Sequence, residues 1–139
     1  MTGHQSLTTE QALQLHKKFL QDLLQDVVKV LETGQAGANR AIEALKIYWE
    51  ANLQHSAARR TVQDALVRTS NEKDAERMGR PFLLILRAEL QAGNVQNLDA
   101  ISQEVYDEAH EISLAEAASG ERDLARREKL IARIKAASS

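Results

Sequence analysis

One histidine and several carboxylates lie close together in the second half of the chain, where they could hold a metal ion. Asp107 and His110 are three positions apart, and Glu104, Glu108 and Glu111 surround them. Residues three or four apart share one face of a helix, and a di-iron bundle needs such an acid–histidine pair on each of two helices. Because the sequence contains only one pair, we expect a solvated helix face here, and we predict no metal and no cofactor.

His55 is the candidate for a phosphate-accepting histidine. Phosphotransfer bundles expose a histidine near a lysine and a glycine, but residues 53–60 contain neither of these residue types. A partly buried, hydrogen-bonded histidine is the more common case, and we expect it at this position.

No other motif indicates catalysis. The sequence has neither a nucleophile elbow nor a glycine-rich phosphate loop. The chain contains no cysteine, which excludes thiolate metal sites, iron–sulfur clusters and cysteine nucleophiles. The sequence therefore predicts a protein that is not an enzyme. The absence of cysteine also suits a cytoplasmic protein, and no run of apolar residues approaches the length of a membrane span.

Three arginines of a predicted helix over residues 38–69 could form a nucleic-acid surface: Arg59, Arg60 and Arg68. Arg77 and Arg80 would extend this surface. Phosphate contacts from such arginines release counterions and give salt-dependent binding. The net charge of −2, however, provides no general attraction for nucleic acid. A small helical subunit that contacts nucleic acid is therefore the alternative function.

The aromatic residues of the second helix indicate a protein interface. Ile47, Tyr48 and Trp49 are consecutive, and successive residues of a helix point in different directions, so the three cannot all face one core. Either this helix is central in the bundle, or one side of it meets another chain. Aromatic anchors dominate the energetics of interfaces. We therefore predict that Tyr48, Trp49 and Leu53 contact a protein partner or a second copy. The preferred function is a non-catalytic interaction or assembly subunit that self-associates.

Charge is segregated near the end of the chain. No lysine or arginine lies between Arg87 and Arg122, whereas acidic residues are frequent there and basic residues follow. Arg126, Arg127 and Arg133 are the predicted partner-binding residues of this basic segment. We expect this segregation to reflect two solvated helix faces, with the late basic residues suited to a helix C-terminus. The alternative is that these arginines lie along the acidic face of the preceding helix, either in the same chain or in a partner. Exposed ion pairs of this kind define register and partner choice more than stability.

Start and stop signals divide the chain into helices. Thr8 and Gln11 match a capping box, and Gly34 is a good stop because glycine adopts left-handed backbone readily. Pro81 favours a helix start, and Ser119-Gly120 marks a hinge or a stop. The predicted helices cover residues 9–33, 38–69, 81–92, 97–118 and 121–136, with a short turn before Met78.

The resulting prediction is an all-α protein, a compact bundle of four to five mostly antiparallel helices. It is a single domain with a flexible tail at residues 1–7, a helical core at 8–118 and a basic C-terminal helix at 121–137. The segment from Phe82 to Leu86 is apolar on nearly every side. A helix that is apolar all round is usually buried, so we expect this element at the centre of the bundle.

Overall fold

The computed structural model describes residues 7–138, and within that range all regular structure is α-helical. The all-α class is confirmed, but the expected count of four to five helices was too low. The described part of the chain contains seven helices: α1 (Thr9–Leu31), α2 (Ala38–Gln54), α3 (Ser56–Arg68), α4 (Glu72–Met78), α5 (Arg80–Ala92), α6 (Leu98–Ser119) and α7 (Leu124–Ala137). The predicted N-terminal tail lies outside the described residues except for Leu7, which packs against Ala12 and its neighbours. None of these helices in residues 7–138 is both long and apolar enough to cross a membrane.

Local signals define the ends of α1. The Thr8 hydroxyl accepts a hydrogen bond from the Gln11 backbone N–H at 3.1 Å, and the Gln11 side chain accepts from the Thr8 N–H at 2.9 Å. This is the predicted capping box, and it supplies partners for backbone N–H groups that have none within the helix. After the helix, Gly34 has a φ of 64°, a conformation that costs glycine little.

The predicted second helix is two helices, because the chain bends at His55. The backbone there has φ −108° and ψ 31°, outside the helical region, and α3 begins at the next residue. A straight helix would place His55 on the same stripe as Val62, yet His55 is exposed whereas Val62 is buried. The expectation of a partly buried His55 was therefore wrong. Neither glycine nor proline marks the bend.

The polar segment after α3 forms a separate helix, α4, rather than a turn. Its Ala75 is buried against α1 and α3. Between α4 and α5, Gly79 has no room for a side chain because the Tyr106 hydroxyl of α6 lies against it. That hydroxyl donates a hydrogen bond to the Gly79 carbonyl at 3.1 Å. The Tyr106 hydroxyl and Gly79 thereby connect the α4–α5 junction to α6.

Two apolar clusters form the interior. The larger cluster joins α2, α5, α6 and α7 and contains the fully buried Trp49, Val105, Ile112 and Ile134. The smaller cluster joins α1, α3 and α4 around Ala12 and Leu66. Helix α6 packs against α2, α3, α5 and α7, so it is the central element of the bundle.

Helix α5 is not the buried centre that its composition predicted. Leu86 and Leu90 are buried, but Leu84 is 56% exposed. The helix packs against α2 and α6 mainly, so only one side of it is covered. The covered side also buries a charged residue, Glu89. The Glu89 carboxylate accepts hydrogen bonds from Arg40 at 2.6 Å and from the Gly37 N–H at 2.9 Å.

The basic C-terminal helix packs along α6 of its own chain. Gly120 ends α6 with a φ of 74°, and Asp123 caps α7 by accepting a hydrogen bond from the Arg126 N–H. Arg126 then pairs with Glu108 at 2.8 Å, and Arg133 pairs with Glu104 at 2.9 Å. The charge segregation seen in the sequence is thus used for pairing between neighbouring helices.

A buried ion pair joins α6 to α7. Glu116 is fully buried, and its carboxylate accepts two hydrogen bonds from Arg127, at 2.5 and 2.7 Å, and one from the Asp123 N–H at 2.9 Å. Arg127 also reaches Glu50 of α2 at 2.9 Å. A second arginine, Arg122, donates hydrogen bonds to the Glu50 carboxylate and thereby lowers the pKa of Glu50 to about 2.

We predict that Arg127→Met lowers the free energy of unfolding by about 3–5 kcal/mol, because Glu116 would stay buried without its partner. Urea denaturation followed by circular dichroism measures the change. The double variant Arg127→Met/Glu116→Leu is the control and should recover most of the loss. A single variant within about 0.5 kcal/mol of the parent, the range of ordinary surface substitutions, would contradict this role.

Candidate functional site

A cleft of about 520 Å³ is lined by residues of α1 to α6. Binding pockets for small molecules have volumes of roughly 300–1,000 Å³. The cleft has polar and apolar walls. Its polar lining includes His16, Tyr48, Asn52, Arg59, His110 and Ser113, and its apolar lining includes Phe19, Leu20, Phe82, Tyr106, Leu114 and Ala117.

Arg59 of α3 is the charged group inside this cleft. One of its terminal nitrogens donates a hydrogen bond to Nδ1 of His16 at 3.0 Å, and its guanidinium carbon lies 4.0 Å from the centre of the Phe19 ring. Its Nε is buried without a hydrogen-bond acceptor. Within residues 7–138, no carboxylate forms an ion pair with Arg59. Burial removes water from this unpaired charge and lowers the pKa of Arg59 to about 10.

His16 of α1 orients Arg59. Its Nε2 lies 3.1 Å from the Ala75 carbonyl of α4, which can only accept, so Nε2 carries the proton. Nδ1 is then the acceptor for the arginine. Both ring nitrogens have partners only when the imidazole is neutral, because a proton on Nδ1 would face a guanidinium N–H. Burial and the nearby Arg59 charge accordingly lower the pKa of His16 to about 4.

A hydroxyl network forms the opposite wall of the cleft. The Tyr48 hydroxyl lies 3.2 Å from Nδ1 of His110 and 3.1 Å from Oγ of Ser113. The Ser113 hydroxyl in turn donates to the His110 backbone carbonyl at 2.7 Å. Burial raises the pKa of Tyr48 and lowers that of His110. The network is therefore neutral, and it presents uncharged hydrogen-bonding groups to the cleft.

Acidic residues occupy much of the exposed rim of the cleft. They come from three helices and comprise Asp64, Glu72, Glu76, Asp107 and Glu111. Arg60 and Lys73 are the basic residues of the rim. The cleft therefore has a positive charge in its interior at Arg59 and a mainly negative entrance.

The structure places the predicted partner-binding aromatics inside the protein. Trp49 has no exposed surface, and its indole N–H donates to the Ala109 carbonyl of α6 at 3.1 Å. The expectation that Trp49 is accessible to a partner was therefore wrong. Tyr48 points towards the hydroxyl network of the cleft, and Leu53 is half-buried. The three consecutive apolar residues are accommodated because α2 packs against several helices at once.

The predicted basic residues do not form one free surface. Arg127 is buried on Glu116, while Arg126 and Arg133 pair with Glu108 and Glu104 of the same chain. The arginines of the nucleic-acid alternative are also separated. Arg59 lies in the cleft, Arg60 lies at its rim, and Arg68 donates a hydrogen bond to the Leu7 carbonyl.

The acid–histidine pair on α6 does not assemble a metal site among the described residues, where no group of three potential ligands comes together. His110 instead belongs to the Tyr48 network, and the Asp107 carboxylate accepts from Gln103.

Sequence reasoning missed His16, although a signal for it was present. Ala12, His16, Leu20, Leu23 and Val27 are the buried residues of α1, and they recur at three- and four-residue spacing. A histidine within such a stripe is a buried polar group that needs a partner. The neighbouring stripe through Leu13 and Leu24, both half-buried, concealed this pattern.

Comparison with known proteins found no match to this chain among protein-family models, curated proteins or solved structures.

The neutral state of His16 predicts how stability depends on pH. An unfolded histidine titrates near 6.5, whereas His16 in the folded protein titrates near 4. Between these values the unfolded chain binds a proton that the folded protein does not. The free energy of unfolding should therefore fall as the pH is lowered from about 6.5 to about 4.

His16→Gln tests this prediction, because glutamine can keep one donor and one acceptor without titrating there. Denaturant midpoints measured across this pH range should fall less steeply in the variant than in the parent. His55→Gln replaces an exposed histidine and is the matched control. An equal loss of slope in both variants would contradict the role of burial at His16.

Proposed function

We propose that this domain is a non-catalytic binding protein and that its cleft holds a small organic molecule. The observation that carries the proposal is the cleft of about 520 Å³, whose walls combine apolar side chains with a few convergent polar groups. This combination is typical of ligand sites, in which apolar walls supply affinity and polar groups define orientation.

The hydrogen bonds of the cleft favour binding over catalysis. An activated serine nucleophile needs its hydroxyl bonded to a base, but the Ser113 hydroxyl donates to a backbone carbonyl. His16 uses both ring nitrogens to hold Arg59 and α4 together. These contacts support a site that is organised to position a ligand.

Leu114→Trp tests the cleft as a binding site, because the larger side chain would fill space beside Leu114 on its wall. A neutral solvatochromic dye such as Nile red should fluoresce strongly with the parent. The dye signal should fall at least several-fold in the variant, while circular dichroism shows unchanged helix content.

Leu15→Trp introduces the same side chain at an exposed position of α1 outside the cleft and is the matched control. Ala118→Trp, at the exposed edge of the cleft, provides a second blocking variant if Leu114→Trp lowers stability. Dye binding that is absent in the parent, or equal in the parent and both blocking variants, would contradict the proposal.

Self-association is a second candidate function, and one observation favours it. The outer face of α5 is exposed and uncharged at Pro81, Leu84 and Ala88, which lie at three- and four-residue spacing. Two copies could pair such faces around a two-fold axis, so that each covers the apolar side chains of the other. This face would be the contact surface of the assembly subunit that the sequence predicts, in place of Trp49.

We expect the parent to sediment as a dimer and Leu84→Glu to sediment as a monomer, because the new carboxylate would be desolvated at the contact. Val67→Glu, which replaces a residue of α3 with similar exposure, should leave the dimer intact. A parent that remains monomeric at high micromolar concentration would exclude this second function.

A further inference from the structure

We infer that the cleft binds monocarboxylic acids with an apolar body, and that Arg59 pairs with their carboxylate. The inference rests on the proposed function and names the chemical class of its ligand. It depends on the charge of Arg59, on the charges around the cleft and on the character of the cleft walls.

The first argument is the missing counter-charge. A guanidinium removed from water is costly unless an anion pairs with it, and two other arginines with little exposed surface show the usual solution. Arg127 is held by Glu116, and Arg40 is held by Glu89. Arg59 has a neutral histidine and an aromatic ring as neighbours, and no acid of the described chain pairs with it. A bound anion would complete this site.

The second argument concerns the charge of the ligand. Arg59 is the one cation in the interior of the cleft among the described lining residues, since His16 is held neutral by its two hydrogen bonds and Arg60 and Lys73 lie at the exposed rim. The acidic rim would repel a dianion more strongly than a monoanion. A single carboxylate fits one guanidinium, whose planar fork of donors matches it. Inorganic phosphate and phosphate esters fit this charge distribution poorly.

The third argument concerns the rest of the ligand. Phe19 and Leu20 of α1, Phe82 of α5, and Tyr106 and Leu114 of α6 provide apolar surface in the same cleft. An alkyl or aryl group placed there would leave water, which favours binding in proportion to the apolar area removed. The neutral hydroxyls of Tyr48 and Ser113 can hydrogen-bond a polar substituent without adding charge.

His16 is the positioning residue of this site. Its hydrogen bond from Arg59 and its hydrogen bond to Ala75 connect the guanidinium to α4. Phe19, one helical turn along α1, contacts the guanidinium as well. The arginine is therefore oriented before a ligand arrives, which reduces the entropy lost on binding.

Isothermal titration calorimetry of the full chain at pH 7 tests the inference with octanoate, 4-phenylbutyrate, their primary amides and inorganic phosphate. We expect at least one of the two acids to bind more tightly than its amide, and phosphate to bind more weakly than that acid. Arg59→Met should weaken binding of the acid by about 10- to 100-fold, as the loss of a charge-assisted hydrogen bond implies, and should change amide binding by less than about threefold.

Arg80→Met, at an exposed position outside the cleft, is the matched control and should retain acid binding to within about threefold, because surface charges contribute little. A purely structural role for Arg59 makes a different prediction. In that case Arg59→Met would lower the urea midpoint of the ligand-free protein, whereas an unpaired buried charge implies a midpoint that is unchanged or higher.

Three results would overturn the inference: equal binding of acid and amide, equal binding of the acid to parent and Arg59→Met, or no binding of either acid by a parent that binds Nile red. These results leave the proposed function standing, because the cleft still takes a neutral dye. Loss of both dye and acid binding would instead overturn the proposed function and the ligand class together.

Discussion

The buried carboxylate of Glu116 is the group on which the arrangement of the helices most depends. It lies on the central helix α6 and has no exposed surface, so its charge must be neutralised within the protein. Arg127 and the Asp123 N–H do this, and both belong to the segment that begins α7. Arg127 also contacts Glu50, and its guanidinium carbon lies 5.2 Å from the centre of the Trp49 ring. One ion pair therefore orients α2, α6 and α7 together.

The buried Arg127 and the half-buried Arg59 have opposite surroundings. Arg127 joins two carboxylates, and removing it would leave a buried acid alone. Arg59 has no acid beside it in the described chain, and it is oriented by His16 and Phe19. This contrast is the physical basis for our proposal that Arg127 serves the fold and Arg59 serves a ligand.

The cleft exists because the interior is divided. The bend at His55 directs α2 into the larger cluster and α3 into the smaller one with α1 and α4. The polar groups of the cleft come from α1 and α3 on one side and from α2 and α6 on the other. Helix α4 has only seven residues, yet its Ala75 carbonyl and its junction at Gly79 hold His16 and Tyr106 in place. A short helix thereby forms part of the wall of the candidate site.

Sequence patterns alone predict the helical class, the capping box at Thr8, the stop at Gly120 and the segregation of charge between α6 and α7. These features depend on residues close together along the chain. The packing of the helices, in contrast, places Trp49 in the core, leaves Leu84 of α5 exposed and brings Arg59 into a cleft. Periodicity shows which residues share a face of a helix, but the neighbouring helices decide whether that face is covered. The bend at His55 lacks a glycine or proline, so neither of the usual helix-breaking residues marks it in the sequence.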